Sequence, residues 1–125
     1  MGHCSVRLTR RYPAPPEEVW GALTEPGSLA RWLDPGCGHA LADGTEFELA
    51  DGNIVVRVRT LDPHQLIELD WETNGEPSVV RFELSTDGSG TVLVLDHERI
   101  DEPIGMAYMH DWSDAMRRLD REIAQ

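Results

Sequence analysis

The feature that most limits the fold of this chain is a change of period. From Thr45 to Glu98 apolar residues recur at every second position in short runs, whereas from near Pro103 to Gln125 they recur every third or fourth. Period two sends alternate side chains to opposite faces of a strand, while steps of three and four line one face of a helix. The first run sets Thr45, Phe47 and Leu49 against Glu46 and Glu48, and Asp51-Gly-Asn53 follows as a hairpin turn. Ile54, Val56 and Val58 then oppose Arg57 and Arg59. Ile67, Leu69 and Trp71 oppose Glu68 and Asp70, Val80, Phe82 and Leu84 oppose Arg81 and Glu83, and a last run extends from Thr91 to Glu98. Asp62-Pro-His64, Asn74-Gly75 and Asp87-Gly-Ser-Gly90 supply the turns between them, so the sheet is expected to be antiparallel.

The final segment carries Tyr108, Met109, Trp112, Ala115, Met116, Leu119 and Ile123 on one helical stripe, with Asp111, Asp114, Arg118 and Glu122 opposite. Such a stripe has to be buried, and the concave face of the sheet is the surface available to it. Ahead of the sheet, Cys4 to Tyr12 alternates as another strand with Cys4, Val6 and Leu8 on one face. Pro13, Pro15 and Pro16 end its ladder. A short helix follows over Glu17–Thr24, then a second from Ser28 as N-cap through Trp32 and Leu33 to Asp34-Pro-Gly36. The expectation is an α+β fold of about six antiparallel strands curved around a long C-terminal helix, with two short helices after the first strand. No linker-like stretch interrupts residues 1–125, which read as one domain.

Charge narrows the function. With 23 acidic and 11 basic side chains the net charge is -12, and the basic groups at Arg7, Arg10, Arg11 and at Arg117, Arg118, Arg121 are interleaved with other residues. Nucleic-acid binding needs a concentrated basic face, so it is not expected, and anionic membrane surfaces are disfavoured on the same ground. Cys4 and Cys37 form no CxxC pair, no signal-peptide pattern opens the chain, and no apolar run reaches the ~20 residues that cross a bilayer. A cytoplasmic protein, monomeric or a weak homodimer, is the expectation.

Several segments together resemble a known family. Tyr12-Pro-Ala-Pro-Pro-Glu-Glu-Val-Trp-Gly-Ala-Leu-Thr24, Leu29-Ala-Arg-Trp-Leu33, Ser78-Val-Val-Arg-Phe-Glu-Leu84, Gly90-Thr-Val-Leu-Val-Leu-Asp-His97, Trp112 and Leu119 are similar, in order and spacing, to the START-like SRPBCC superfamily, and within it to bacterial proteins like the activator of the heat-shock-protein ATPase. The segment from Leu33 to Thr45 is shorter than in many related chains. The resemblance implies the helix-grip fold and a cavity that, in various members, holds apolar molecules. Other members act as co-chaperones. Fold alone fixes no activity.

The residues offer a concrete pocket. Trp32, Phe47, Trp71, Phe82, Leu95, Tyr108, Met109, Trp112 and Met116 are placed to line a cavity between sheet and helix, with His97 and Tyr108 as its polar contacts. Trp20 is assigned to packing. The leading reading is noncatalytic binding of a small apolar or amphipathic ligand. The alternative is a chaperone-directed or other protein-interaction module, and the third is a polyketide cyclase-like enzyme using His97 with Tyr108 or Asp111 for proton transfer. No cofactor is expected. Cys37, His39, His97 and His110 are acceptable metal ligands but lack the spacing of a site, and Asp87-Gly-Ser-Gly90 has neither the lysine nor the length of a phosphate loop.

Overall fold

The computed structural model describes residues 3–34, 41–49, 52–101 and 105–123. Strand β1 (His3–Tyr12) is followed by helices α1 (Pro16–Thr24) and α2 (Pro26–Trp32). Strands β2 (Glu46–Leu49), β3 (Ile54–Asp62), β4 (Leu66–Thr73), β5 (Glu76–Asp87) and β6 (Gly90–Asp101) follow, and α3 (Gly105–Ile123) ends the chain. All strands join one curved sheet in the order β1-β6-β5-β4-β3-β2, each neighbouring pair antiparallel. Consecutive strands β1 and β2 therefore occupy opposite edges, and α1 and α2 make the crossing between them. This is the expected α+β helix-grip arrangement.

Alternation buries one face of the sheet against α3. Ile67, Leu69 and Trp71 of β4, and Val80, Phe82 and Leu84 of β5, are all buried there, as are Tyr108, Trp112, Ala115, Met116 and Leu119 of the helix. The helix is pinned at its flanks. Tyr12 of β1 donates its hydroxyl to Asp120 Oδ1 (2.8 Å), Arg31 of α2 pairs with Glu122 (2.7 Å), and Arg118 Nε–H donates to the carbonyl of Trp32 (3.0 Å). Burial and the adjacent Asp120 carboxylate raise the Tyr12 phenol above its usual range, so this anchor stays protonated. Ser28 is not the N-cap of α2. That helix opens on Pro26 after Glu25, and Ser28 lies inside it with its hydroxyl donating to Ala22 O at 2.5 Å. Among the described residues no helix is long and apolar enough to cross a membrane.

A bulge corrects the register of β6. Strict alternation from Leu93, Leu95 and His97 would carry Arg99 into the core. Instead Val6 pairs with His97 and Cys4 with Ile100, so Ser5 stands opposite both Glu98 and Arg99. Arg99 takes a left-handed φ of 63°, which moves its side chain outward and gives the inward place to Ile100, only 1% exposed. Left-handed backbone costs a non-glycine residue about 1–3 kcal/mol, less than burying an unpaired guanidinium.

The convex face is ordered by charge. Arg7, Asp96, Arg81 and Glu68 stand directly opposite one another across β1, β6, β5 and β4. Arg7 bonds Asp96 at 2.7 Å and Arg81 bonds Glu68 at 2.8 Å, holding the Glu68 carboxyl below its ordinary range. Cross-strand pairs of this kind favour one register over its neighbours. Their separate contributions to stability are small.

Candidate functional site

The concave face holds a closed hydrogen-bonded chain. Trp112 Nε1–H donates to His97 Nδ1 at 2.9 Å, His97 Nε2 meets Ser78 Oγ at 2.7 Å, and Ser78 Oγ–H donates to the carbonyl of Trp71 at 2.9 Å. An indole N–H can only donate, so Nδ1 must be the unprotonated nitrogen and the ring proton sits on Nε2, facing Ser78. Every member is then satisfied by the neutral imidazole. A second proton on Nδ1 would face another donor. His97 is fully buried, and burial lowers its pKa from 6.5 to about 4.

Aromatic rings wrap this chain. The His97 and Tyr108 rings meet edge to face at 4.4 Å between centroids, Trp71 and Trp112 lie 5.3 Å apart, and Phe82 bridges Trp112 and Trp32 at 6.0 Å to each. The Tyr108 hydroxyl accepts from Trp71 Nε1 at 3.2 Å and shares a short bond with Thr73 Oγ1. With its hydroxyl so engaged, Tyr108 makes no hydrogen bond to His97, and Asp111 is exposed on α3. The proton-transfer pair considered from sequence is therefore not assembled. Trp32 Nε1 is the buried side-chain polar atom left without a partner among the described residues.

Beside this sealed cluster opens a cleft of about 230 Å³. Leu33 and Asp34 beyond α2 form one wall, Leu49 and Ile54 at the facing ends of β2 and β3 another, and Trp71 lies at the sheet side. Helix α3 contributes Tyr108, Trp112 and Ala115, with Asp111, Asp114 and Arg118 at the polar rim. A larger groove of about 350 Å³ lies on the opposite side of the sheet, but charged side chains of both signs surround it, among them Arg57, Arg59, Asp70, Glu72 and Arg99. The smaller cleft is the better candidate, because apolar and aromatic walls with few polar groups are what small-molecule sites share.

Of the ten residues expected to line a cavity, Trp71, Tyr108 and Trp112 do so. Trp32, Phe47, Phe82, Leu95, His97 and Met116 are buried in close packing and do not border the cleft. Met109 departs from expectation altogether. It is 39% exposed, because it follows Tyr108 by one residue and so turns about a quarter of the way round the helix from the buried stripe. Ser78 and Thr73, which complete the polar contacts, were not among the expected site residues, because their strands run further than the apolar alternation marked. Continuing the Val80, Phe82, Leu84 phase back by two would have found Ser78. Cys37 and His39 lie outside the described residues, and among those described no group of three His, Cys, Asp or Glu side chains could hold a metal.

An antiparallel sheet gripping a long C-terminal helix over a small aromatic cleft defines a START-like, helix-grip protein. The sequence profile of the family described as activator of Hsp90 ATPase homolog 1-like protein matches residues 13–124, and the chain belongs to that family. No curated protein matches it. Among solved structures it is similar to CalU16 from Micromonospora echinospora, with 30% identity and a TM-score of 0.82 over 95% of this chain and 75% of CalU16. An HSP90 activator from Plasmodium falciparum is 26% identical with a TM-score of 0.67, covering 78% of this chain and 74% of that one. The Aha1 dimer of Colwellia psychrerythraea shares the fold, at 19% identity and a TM-score of 0.82 over 96% of both chains.

Proposed function

We propose that this protein binds a small molecule with an apolar body in the cleft between sheet and α3, without converting it chemically. One observation carries the reading: Trp71, Tyr108 and Trp112 line an open cleft while their polar atoms are already tied to one another and to His97. Such walls are rigid before a ligand arrives, which lowers the ordering cost of binding. At about 230 Å³ the cleft is below the ~300–1,000 Å³ of drug-sized sites. It suits a ring-sized molecule, or one end of a longer one. The neutral, fully engaged imidazole of His97 weighs against an acid–base enzyme of the cyclase kind.

The test is a titration with a small apolar fluorophore, read by its emission and by the unfolding midpoint. Saturation near one site and a raised midpoint are expected, since a ligand of the native state stabilises it by mass action. Ala115→Phe, which grows into the cleft, should abolish saturation while the protein stays folded. Unaltered binding in that variant would place the ligand elsewhere. A second reading is favoured by the family match over residues 13–124 and by the likeness to an HSP90 activator: a co-chaperone-like module. Stimulation of a heat-shock protein's ATPase by a chain that binds no apolar probe would select it.

A further inference from the structure

We infer that the ligand of this cleft carries an acceptor oxygen on its apolar body, such as a ketone or ester carbonyl, and that this oxygen receives a hydrogen bond from the hydroxyl pair of Tyr108 and Thr73. The inference rests on the proposed binding role and names the class of ligand. Trp71 Nε1–H is engaged by the Tyr108 oxygen at 3.2 Å and Trp112 Nε1–H by His97 at 2.9 Å, so neither indole has a hydrogen left to give. The hydroxyls of Tyr108 and Thr73 bond each other. Two hydroxyls own two protons and the bond between them uses one. Whichever of the pair is the donor, the other therefore keeps a proton that has no acceptor among the described residues.

The pair stands at the cleft. Tyr108 and Trp71 both line it, and the Tyr108 oxygen lies within hydrogen-bond distance of the Trp71 ring nitrogen. Thr73 is paired directly with Ile54 across β4 and β3, which puts both side chains on one face of the sheet, and Ile54 lines the cleft as well. Thr73 is only half-buried, in contrast to Ser78 and His97 in the chain behind it. A hydrocarbon that displaced solvent from this end of the cleft would leave the remaining O–H facing carbon. An orphaned donor costs more than an ordinary hydrogen bond gains, and an acceptor oxygen on the ligand removes that cost. Because the Tyr108 oxygen is already held by the Trp71 N–H, little ordering is needed when the ligand arrives.

Acetophenone and ethylbenzene differ by the carbonyl and test this when titrated into the intact protein, with the indole N–H signals of Trp71 and Trp112 reporting occupancy by NMR. Tyr108→Phe is a poor instrument, because it also frees the Trp71 N–H to serve the ligand. Replacing tyrosine by 3-fluorotyrosine keeps every oxygen in place and makes the phenol a stronger donor. The chain has two tyrosines, and the hydroxyl of the other, Tyr12, is committed to Asp120. The carbonyl stretch of bound acetophenone, read by infrared difference spectroscopy, is expected below its value in hydrocarbon solvent and lower again in the fluorinated protein. Acetophenone should also bind about twofold tighter there, while ethylbenzene is unchanged. A carbonyl bonded only to water would not respond to the fluorine. If acetophenone moves the two indoles but its stretch stays at the hydrocarbon value, or does not change on fluorination, the inference is overturned and the cleft remains a binding site. If neither probe moves Trp71 or Trp112, the binding reading falls and the inference falls with it.

Discussion

Trp112 belongs to two regions at once, and they behave differently. Its N–H enters the buried chain through His97, Ser78 and the Trp71 carbonyl, where every polar atom has a partner. Another part of the same residue borders an open cleft with a charged rim. The sealed side fixes the indole, and the open side leaves part of it bordering the cleft. Stability should therefore be concentrated in the first region and ligand recognition in the second, so that substitutions separate the two.

The largest effect is expected from His97→Ala. It opens a void in the core and leaves both Trp112 Nε1–H and Ser78 without their partner, for a loss of about 3–5 kcal/mol. A denaturant midpoint close to that of the parent would show that the chain is not a structural element. Acid should act on the same point. Between its unfolded pKa of 6.5 and its folded pKa of about 4, the unfolded chain holds a proton on His97 that the folded state refuses. Stability is thus complete above pH 6.5 and falls as the pH drops through that window, by up to about 3 kcal/mol from this residue. Comparison with His97→Gln isolates the contribution, because the paired carboxylates titrate in both proteins. Identical pH profiles would contradict a neutral, buried imidazole.

Two indoles sharpen the contrast within the core. Trp112→Phe strands the Nδ1 acceptor of His97, whereas Trp32→Phe removes an N–H that has no partner among the described residues. The first should cost about 1–2 kcal/mol more than the second in equilibrium unfolding, the penalty of one orphaned buried acceptor. Equal costs would mean that the indole–imidazole bond contributes nothing. The smallest effect on stability belongs to the cleft. Ala115→Phe should cost less than about 1.5 kcal/mol by the same measurement, since it grows into space that close packing has not filled. A loss comparable to that of His97→Ala would show that there is no room there.

The fold was legible because its two periods are clean. Alternation through Ile67, Leu69 and Trp71 and the helical stripe from Tyr108 to Leu119 each depend on near neighbours in sequence, and both survive folding intact. The bulge at Arg99 was not legible, since nothing local distinguishes an arginine that will adopt a left-handed φ from one that will not. The site was harder for a related reason. Periodicity says which side chains turn inward, but whether an inward residue meets another or an empty space depends on how far apart the packed elements sit. Phe82 and Trp71 carry the same sequence signal, yet only Trp71 borders the cleft. Asp111, Asp114 and Arg118 were assigned to the solvent face of α3, and they do reach water, but at the mouth of the cleft.

The central claim is that one side of the aromatic cluster is sealed and the other receives a ligand, and the four tryptophans report it directly. Indole N–H signals of Trp20, Trp32, Trp71 and Trp112 can be followed together while a small neutral aromatic probe is added. Saturable shifts at Trp71 and Trp112, with Trp32 in the close-packed core and Trp20 beside His64 unmoved, are the predicted result. Shifts confined to Trp20 or Trp32, or no shift at any of the four, would contradict the account.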